Sequence, residues 1–320
     1  MVPALIELES ITELEKEIFG PVLHVVRFSR RNLMTTLDQV NATGYGLTMG
    51  LHTRIDETIE RVVASAHVGN VYINRNMVGA VVGVQPFGGE GLSGTGPKAG
   101  GPLYMYRLLA SAPVDVLARA PAAALAGSQA EIVTGGMPTA FGSLMSWMTT
   151  HGNVRTAVQC RKLVDRAGDC KSRILVGPTG ERNVYSLHPR EAVLCLADTN
   201  DGLLYQLAAT LCVGGKAIWE VNPATEMLRA SLPIDVQEKI VIAADWTASS
   251  ALFDVALHEG SEADLKRVSS ALARRDGPIA TLRRSSLAQG VMPLEALVLE
   301  RAVSTNTAAA GGNASLMTIT

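Results

Sequence analysis

Cysteine, surplus basic charge and long apolar runs are all scarce in this chain of 320 residues, and each shortage closes off a class of function. The four cysteines, Cys160, Cys170, Cys195 and Cys212, form no C-x-x-C pair and no ordered spacing, which excludes a zinc ribbon and a disulfide framework and suits a reducing, cytoplasmic setting. With 28 Lys and Arg against 30 Asp and Glu, the formal charge of −2 leaves no basic face for phosphate neutralisation. Nucleic acid is therefore not expected as a partner, and any steering of charged ligands must be local. The start, MVPALIELESITELEKEIFG, carries acids where a signal peptide needs a basic start and an apolar run. The most apolar later stretch, Leu203 to Trp219, is broken by Gly214, Gly215 and Lys216 and is too short to cross a membrane. It reads as a buried helix followed by a strand.

What is present is an α/β alternation. VLHVVRFS, from Val22 to Ser29, reads as a strand, and Ser29 stands ready to cap a helix with Leu33, Leu37 and Val40 on one face. A short strand over Leu47 to His52 precedes a second helix carrying Ile55, Ile59, Val62 and Ala66, and Val71 to Ile73 begins another strand. Between Ser111 and Ser143 the composition shifts to Ala, Pro and Gly with little periodicity, the signature of a linker. Beyond it strands are expected near 174–176, 192–196, 217–219, 240–243 and 252–257, with Ser261 and Asp264 flanking a helix start. The expected organisation is one α/β unit over 1–110, a linker over 111–150 and a second, Rossmann-like α/β unit over 151–320. The two runs Val71-Tyr72-Ile73-Asn74 and Val303-Ser304-Thr305-Asn306 also look alike, as a distant internal repeat or as two unrelated strand ends.

The densest signal is Asn74 to Pro102, NRNMVGAVVGVQPFGGEGLSGTGPKAGGP. Glycine loses more chain entropy on folding than any other residue, so this usage points to positive φ angles or close backbone approach. Gly89 to Gly94 satisfies G-x-G-x-x-G, but that fingerprint works only between a strand and a helix. Here Pro86-Phe87-Gly88 precedes it and a Pro- and Gly-rich run follows, so a dinucleotide loop is rejected. A P-loop fails as well, because Pro97 displaces Lys98 from the required position.

These residues resemble the end of the catalytic domain of an aldehyde dehydrogenase, specifically the L-glutamate γ-semialdehyde (1-pyrroline-5-carboxylate) dehydrogenase module of bifunctional proline utilization A proteins. In that family a GAVVG-x-QPFGG segment forms an anchor loop whose backbone amides receive the substrate α-carboxylate. The resemblance implies that Gly79 and Ala80 are the anchor and Phe87 an aromatic wall. A nest of N–H groups between small side chains suits an anion. Glu15 to Val22 similarly looks like the E-x-F-G-P-V motif, which implies that Glu17 hydrogen-bonds the nicotinamide ribose of NAD⁺ and Phe19 lies near the ring.

The implied chemistry is thiolate attack on the aldehyde, hydride transfer to NAD⁺ and hydrolysis of the thioester. No nucleophile is visible: the family cysteine precedes E-x-F-G-P-V, whereas the first cysteine here is Cys160. Cys160, Cys195 and Cys212 read as small buried hydrophobes. The sequence thus reads as a C-terminal fragment, inactive alone, with the nucleotide-binding domain elsewhere and FAD belonging to an upstream proline dehydrogenase domain. Residues 111–320 resemble the noncatalytic, aldehyde-dehydrogenase-like C-terminal domain of long proline utilization A proteins, carried by Gly177 to Asn183 (GPTGERN) and Asn306 to Ser315. That resemblance implies a lid and assembly role, possible homo-oligomers and glutamate semialdehyde as the small-molecule partner. GPTGERN itself stays open between a structural turn and a phosphate loop, the latter making 151–320 an independent nucleotide-binding module.

Overall fold

A computed structural model describes residues 2–94, 96–110, 112–124, 129–131, 138–168 and 172–307. Cys170 and the tail from Ala308 to Ser315 lie outside the described residues. Two main sheets organise the rest, and both depend on where the sequence permits burial on two faces.

The helix Asn200–Val213 lies at the centre of the larger core. Thr199 caps its N-terminus by accepting the Gly202 N–H at 3.0 Å, and Gly214, at φ +97°, ends it in the left-handed region. Every residue from Gly202 to Val213 is buried, so the segment shows no polar face and no amphipathic period. The strand Lys216–Glu220 follows directly, as expected of Leu203 to Trp219. It belongs to a parallel sheet ordered Ile240–Ala243, Lys216–Glu220, Ala192–Ala197, Val255–Glu259, Thr281–Arg284. Chain order therefore reverses between Ala192–Ala197 and Val255–Glu259, the Rossmann-like switch point of a doubly wound unit. Ser261 caps the following helix, Glu262–Leu272, through the Asp264 N–H at 3.1 Å.

The second sheet has six strands, ordered Thr48–Leu51, Asn70–Ile73, Val298–Asn306, Glu181–Pro189, Ser172–Leu175, Gln129–Glu131. The first three run parallel and the remainder antiparallel. Residues on both sides of the expected linker share this sheet: Val71 sits opposite Val303 and Ile73 opposite Thr305. The two similar runs noted in the sequence are thus adjacent strands in register. All four residues of Asn70–Ile73 are buried, which is why that strand reads as a continuous apolar run and not as an alternation.

The range expected to be a linker departs from that reading. It contains the helices Val116–Ala124 and Thr139–Thr150, the second burying Phe141, Leu144, Met145 and Met148. Apolar residues at 141, 144 and 148 keep helical spacing, and the surrounding Ala, Gly and Ser masked it.

Candidate active-site loop

The glycine-rich run divides into two functional kinds of glycine. Gly89 and Gly91, like Gly69 just ahead of the run, are sites of close chain approach. A Cβ at Gly69 would lie 1.9 Å from the Gly88 carbonyl oxygen, and one at Gly91, where φ is +58°, 2.4 Å from that of Gly44. Glu90–Gly91 pairs antiparallel with Tyr45–Gly46, and tight turns follow through Ser93 N–H to Glu90 O and Gly94 N–H to Gly91 O. No helix starts there. The G-x-G-x-x-G match is chain packing, not a pyrophosphate cradle.

Gly79 is the opposite case. A Cβ there would meet nothing within 4 Å, and Val78 and Val82 on either side are almost wholly exposed. Among the described residues the amides of Gly79 and Ala80 meet no acceptor, whereas the neighbouring Val81 N–H donates to Gln85 Oε1 at 3.0 Å. Val84 and Gln85 N–H both return to the Val81 carbonyl, at 3.1 and 3.0 Å. The amides of Met77, Val82 and Gly83 likewise meet no acceptor among the described residues, so the segment is a loop closed between Val81 and Gln85 that leaves Gly79 and Ala80 among several unengaged donors.

Both ends of this loop are tied to buried polar groups. At one end Phe87, half-buried, exchanges backbone hydrogen bonds of 3.0 and 2.8 Å with Ala99. Asn70 donates to the Pro86 carbonyl at 3.0 Å and accepts from Gly88 N–H at 3.2 Å. Lys98 Nζ, buried, donates to Asn70 Oδ1 at 2.8 Å and to the Gly88 carbonyl, while its backbone N–H donates to Glu300 Oε2 at 2.7 Å. Tyr185 Oη donates to the other Glu300 oxygen at 2.8 Å. Burial pulls the Lys98 ammonium down to about 8 against the opposing pull of Glu300 and Glu90, and burial likewise raises Glu300. Nearby, Arg301 pairs with Glu90 at 3.3 Å and donates to the Val63 carbonyl at 3.0 Å.

At the other end, Gln85 Nε2 donates to Glu181 and, at 3.2 Å each, towards Asn183 Oδ1 and Ser304 Oγ. Arg75 Nη1 lies 2.7 Å from both Glu181 Oε1 and Ser304 Oγ. Sequence reasoning missed Gln85, Lys98, Glu181, Glu300 and Ser304, because the partners are separated by 96 to 229 positions. The signal within reach was a lysine and a glutamine inside an otherwise apolar, glycine-rich run.

Glu17 and Phe19 stand apart from this loop. They lie between Ala4–Leu8 and Val22–Val26, the strands of a separate two-stranded parallel sheet. Phe19 is 94% exposed, Glu17 is exposed, and no hydrogen bond or ion pair joins them to residues 77–87 among the described residues. Their accessibility fits contact with a ribose hydroxyl and a ring face brought from outside.

GPTGERN forms a hairpin turn. Ser172–Leu175 runs into Glu181–Pro189, with Leu175 opposite Asn183 and Glu181 N–H donating to the Pro178 carbonyl at 3.2 Å. A strand follows the turn, so the helix terminus that a phosphate loop requires is missing there. Cys160, Cys195 and Cys212 are buried in the larger core, and burial pushes the Cys195 thiol up to about 12 and raises Cys160 as well. At the switch point, Asp198, Glu259 and the Thr199 cap crowd the helix start. Burial, offset in part by the Leu287 N–H and reinforced by Asp198, raises the Glu259 carboxyl.

Residues 8–111 match the model of the aldehyde dehydrogenase family. The bifunctional protein PutA of Salmonella typhimurium is 50% identical over 329 residues, an alignment covering 100% of this chain and 24% of that protein. PutA of Escherichia coli is 48% identical over 99% of the chain and 24% of its own length. The 1-pyrroline-5-carboxylate dehydrogenase of Bacillus subtilis is 46% identical over 30% of the chain and 18% of its own length. Among solved structures, proline utilization A from Corynebacterium freiburgense superposes with a TM-score of 0.57 at 23% identity, covering 91% of this chain and 26% of that one. The fold is shared, and the chain spans about a quarter of the length of the PutA proteins it matches.

Proposed function

We propose, for a chain homologous to PutA along its whole length and to aldehyde dehydrogenases over residues 8–111, that it supplies part of the site of an NAD⁺-dependent L-glutamate γ-semialdehyde dehydrogenase. The observation that carries this reading is that the Gly79 and Ala80 amides are unengaged beside a glycine with open space at its Cβ position, on a loop whose ends are tied by buried polar groups. An α-carboxylate can accept both donors without meeting a side chain, and a charge-assisted hydrogen bond is about twice as strong as a neutral one. Phe87, fixed by its bridge to Ala99, gives the aliphatic part of such a substrate a wall.

NAD⁺, when bound, supplies the hydride acceptor. Glu17 and Phe19 would contact its nicotinamide ribose and ring. Neither is engaged by hydrogen bonds or ion pairs among the described residues. The nucleophilic thiol and the nucleotide-binding domain would come from the rest of a PutA-type polypeptide; the cysteines among the described residues, Cys160, Cys195 and Cys212, are all buried.

For residues 151–320 the acidic switch point favours a noncatalytic, assembly role over independent nucleotide binding. Its contribution is mechanical: Glu300, Arg301, Glu181 and Ser304 hold the glycine-rich run in place.

The test is Gly79→Leu in the complete PutA-type polypeptide carrying this segment. The KM for glutamate semialdehyde should rise by at least about tenfold, with propanal oxidation much less affected. Equal losses for both aldehydes would remove the anchor assignment.

A further inference from the structure

The hairpin Gly177 to Asn183, whose Glu181 helps to hold the glycine-rich run, touches the anchor loop directly. A Cβ at Gly177 would fall 2.6 Å from Asn183 Nδ2 and 3.4 Å from Val84 Cγ1, so this turn packs directly beneath the loop. Gln85, only 4% exposed, is the joint between them. Its carbonyl end accepts the Val81 N–H and its amide end donates to Glu181, Asn183 and Ser304. Glu181 also accepts from Ser304 Oγ at 3.0 Å and pairs with Arg75, so both ends of the Gln85 amide are fixed by partners that are themselves fixed.

We propose that Gln85 and Glu181 are positioning residues for recognition of the substrate carboxylate, making the hairpin of the second unit a clamp on the anchor loop of the first. The inference rests on the anchor reading above. Gln85 engages the Val81 amide and so fixes the chain immediately after Gly79 and Ala80, whose own amides meet no acceptor among the described residues. Without that bond the Val81 N–H is released and the turn keeps only its backbone hydrogen bonds to the Val81 carbonyl. The pairing of Glu181 with Arg75 also keeps a bare carboxylate from facing the incoming anion. Amide recognition of an anion depends on donors held in fixed directions, so relaxation of the turn weakens binding of the carboxylate without touching the reacting carbon.

The prediction separates clamp from bulk stability by exchanging the two groups. In the complete enzyme Gln85→Glu removes the donor to Glu181 and sets two carboxylates together. The KM for glutamate semialdehyde should rise about tenfold with kcat within about twofold, and propanal kinetics should not move. Adding Glu181→Gln restores one donor and one acceptor in swapped positions, and should recover most of the lost affinity. In the 320-residue chain, Gln85→Ala should speed hydrogen exchange at the Val81 amide by at least about tenfold while the thermal midpoint stays within about 2 °C.

Equal losses for both aldehydes, or no recovery in the double variant, would overturn the positioning role. Unchanged exchange at Val81 would overturn the clamp itself. If Gly79→Leu fails to discriminate the two aldehydes while Val81 exchange responds to Gln85→Ala, the anchor reading falls, and with it the role in recognition. If Gly79→Leu discriminates and Gln85→Glu does not, this inference alone is wrong.

Discussion

Lys98 offers a direct measure of how firmly the glycine-rich run is held to the last strand. The residue is 2% exposed, and burial lowers its ammonium from an ordinary 10.5 to about 8 despite the carboxylate of Glu300. The unfolded chain keeps this proton until pH 10.5, whereas the folded chain releases it near pH 8. Between those values the unfolded state binds more protons, so stability rises with pH. The gain is complete above the unfolded value and is lost as pH falls through about 8. A separation of this size corresponds to about 3 kcal/mol. Replacing Lys98 by Met removes the titrating group while keeping an unbranched side chain and the backbone N–H that Glu300 accepts. Urea unfolding of both chains from pH 7 to 10.5 then isolates the lysine. The wild-type midpoint should climb relative to Lys98→Met by about 1 M, for a slope of about 3 kcal/mol per molar. A difference that stays flat, or falls, across pH 8 to 10.5 would refute the burial argument and with it the rigid tie.

The remaining expectations concern backbone, thiols and the shared sheet. Gly91→Ala places a Cβ against the Gly44 carbonyl at a positive φ and should cost about 1–3 kcal/mol in urea unfolding, whereas Gly79→Ala should stay within about 0.5 kcal/mol; similar costs at both would contradict the division into packed and open glycines. Iodoacetamide at pH 8 should leave Cys160 and Cys195 unmodified in the native chain, with labelling tracking global unfolding, and peptide mapping that finds either labelled at a free-thiol rate would place it outside the core. Residues 1–110 made alone should aggregate or melt without cooperativity, since Asn70–Ile73 loses the neighbour Val298–Asn306; a monodisperse, cooperative transition by circular dichroism would count against that dependence.

Local elements were legible where their causes are local. The Ser261 cap, the Gly214 stop, the helix and strand within Leu203 to Trp219, and the turn at Gly177 to Gly180 all follow from residues a few positions apart. The close backbone approach within the glycine-rich run was legible for the same reason, since its glycines lie in one continuous stretch. What could not be read was anything made across the chain. Nothing near Gln85 announces Glu181 or Ser304, and nothing near Lys98 announces Glu300. The helix Thr139–Thr150 was hidden by its small residues, although Phe141, Leu144 and Met148 keep its period. The likeness of Val71 to Asn74 and Val303 to Asn306 was visible, but their pairing side by side was not. Strand order is set by tertiary burial, and a four-residue match is silent about neighbours.

That pairing has a consequence for the birth of the chain. Asn70–Ile73 acquires one of its two flanking strands only when residues 302–305 arrive, roughly 230 positions later. At about 5–20 residues per second, a ribosome leaves that hydrogen-bonding edge bare for about 10–50 seconds. During that interval an apolar strand with an open side is a template for any other extended segment, including one from a neighbouring nascent chain. A cell that makes this polypeptide must shield the strand through translation, and slowing synthesis near the 3′ end of the message would lengthen the exposure.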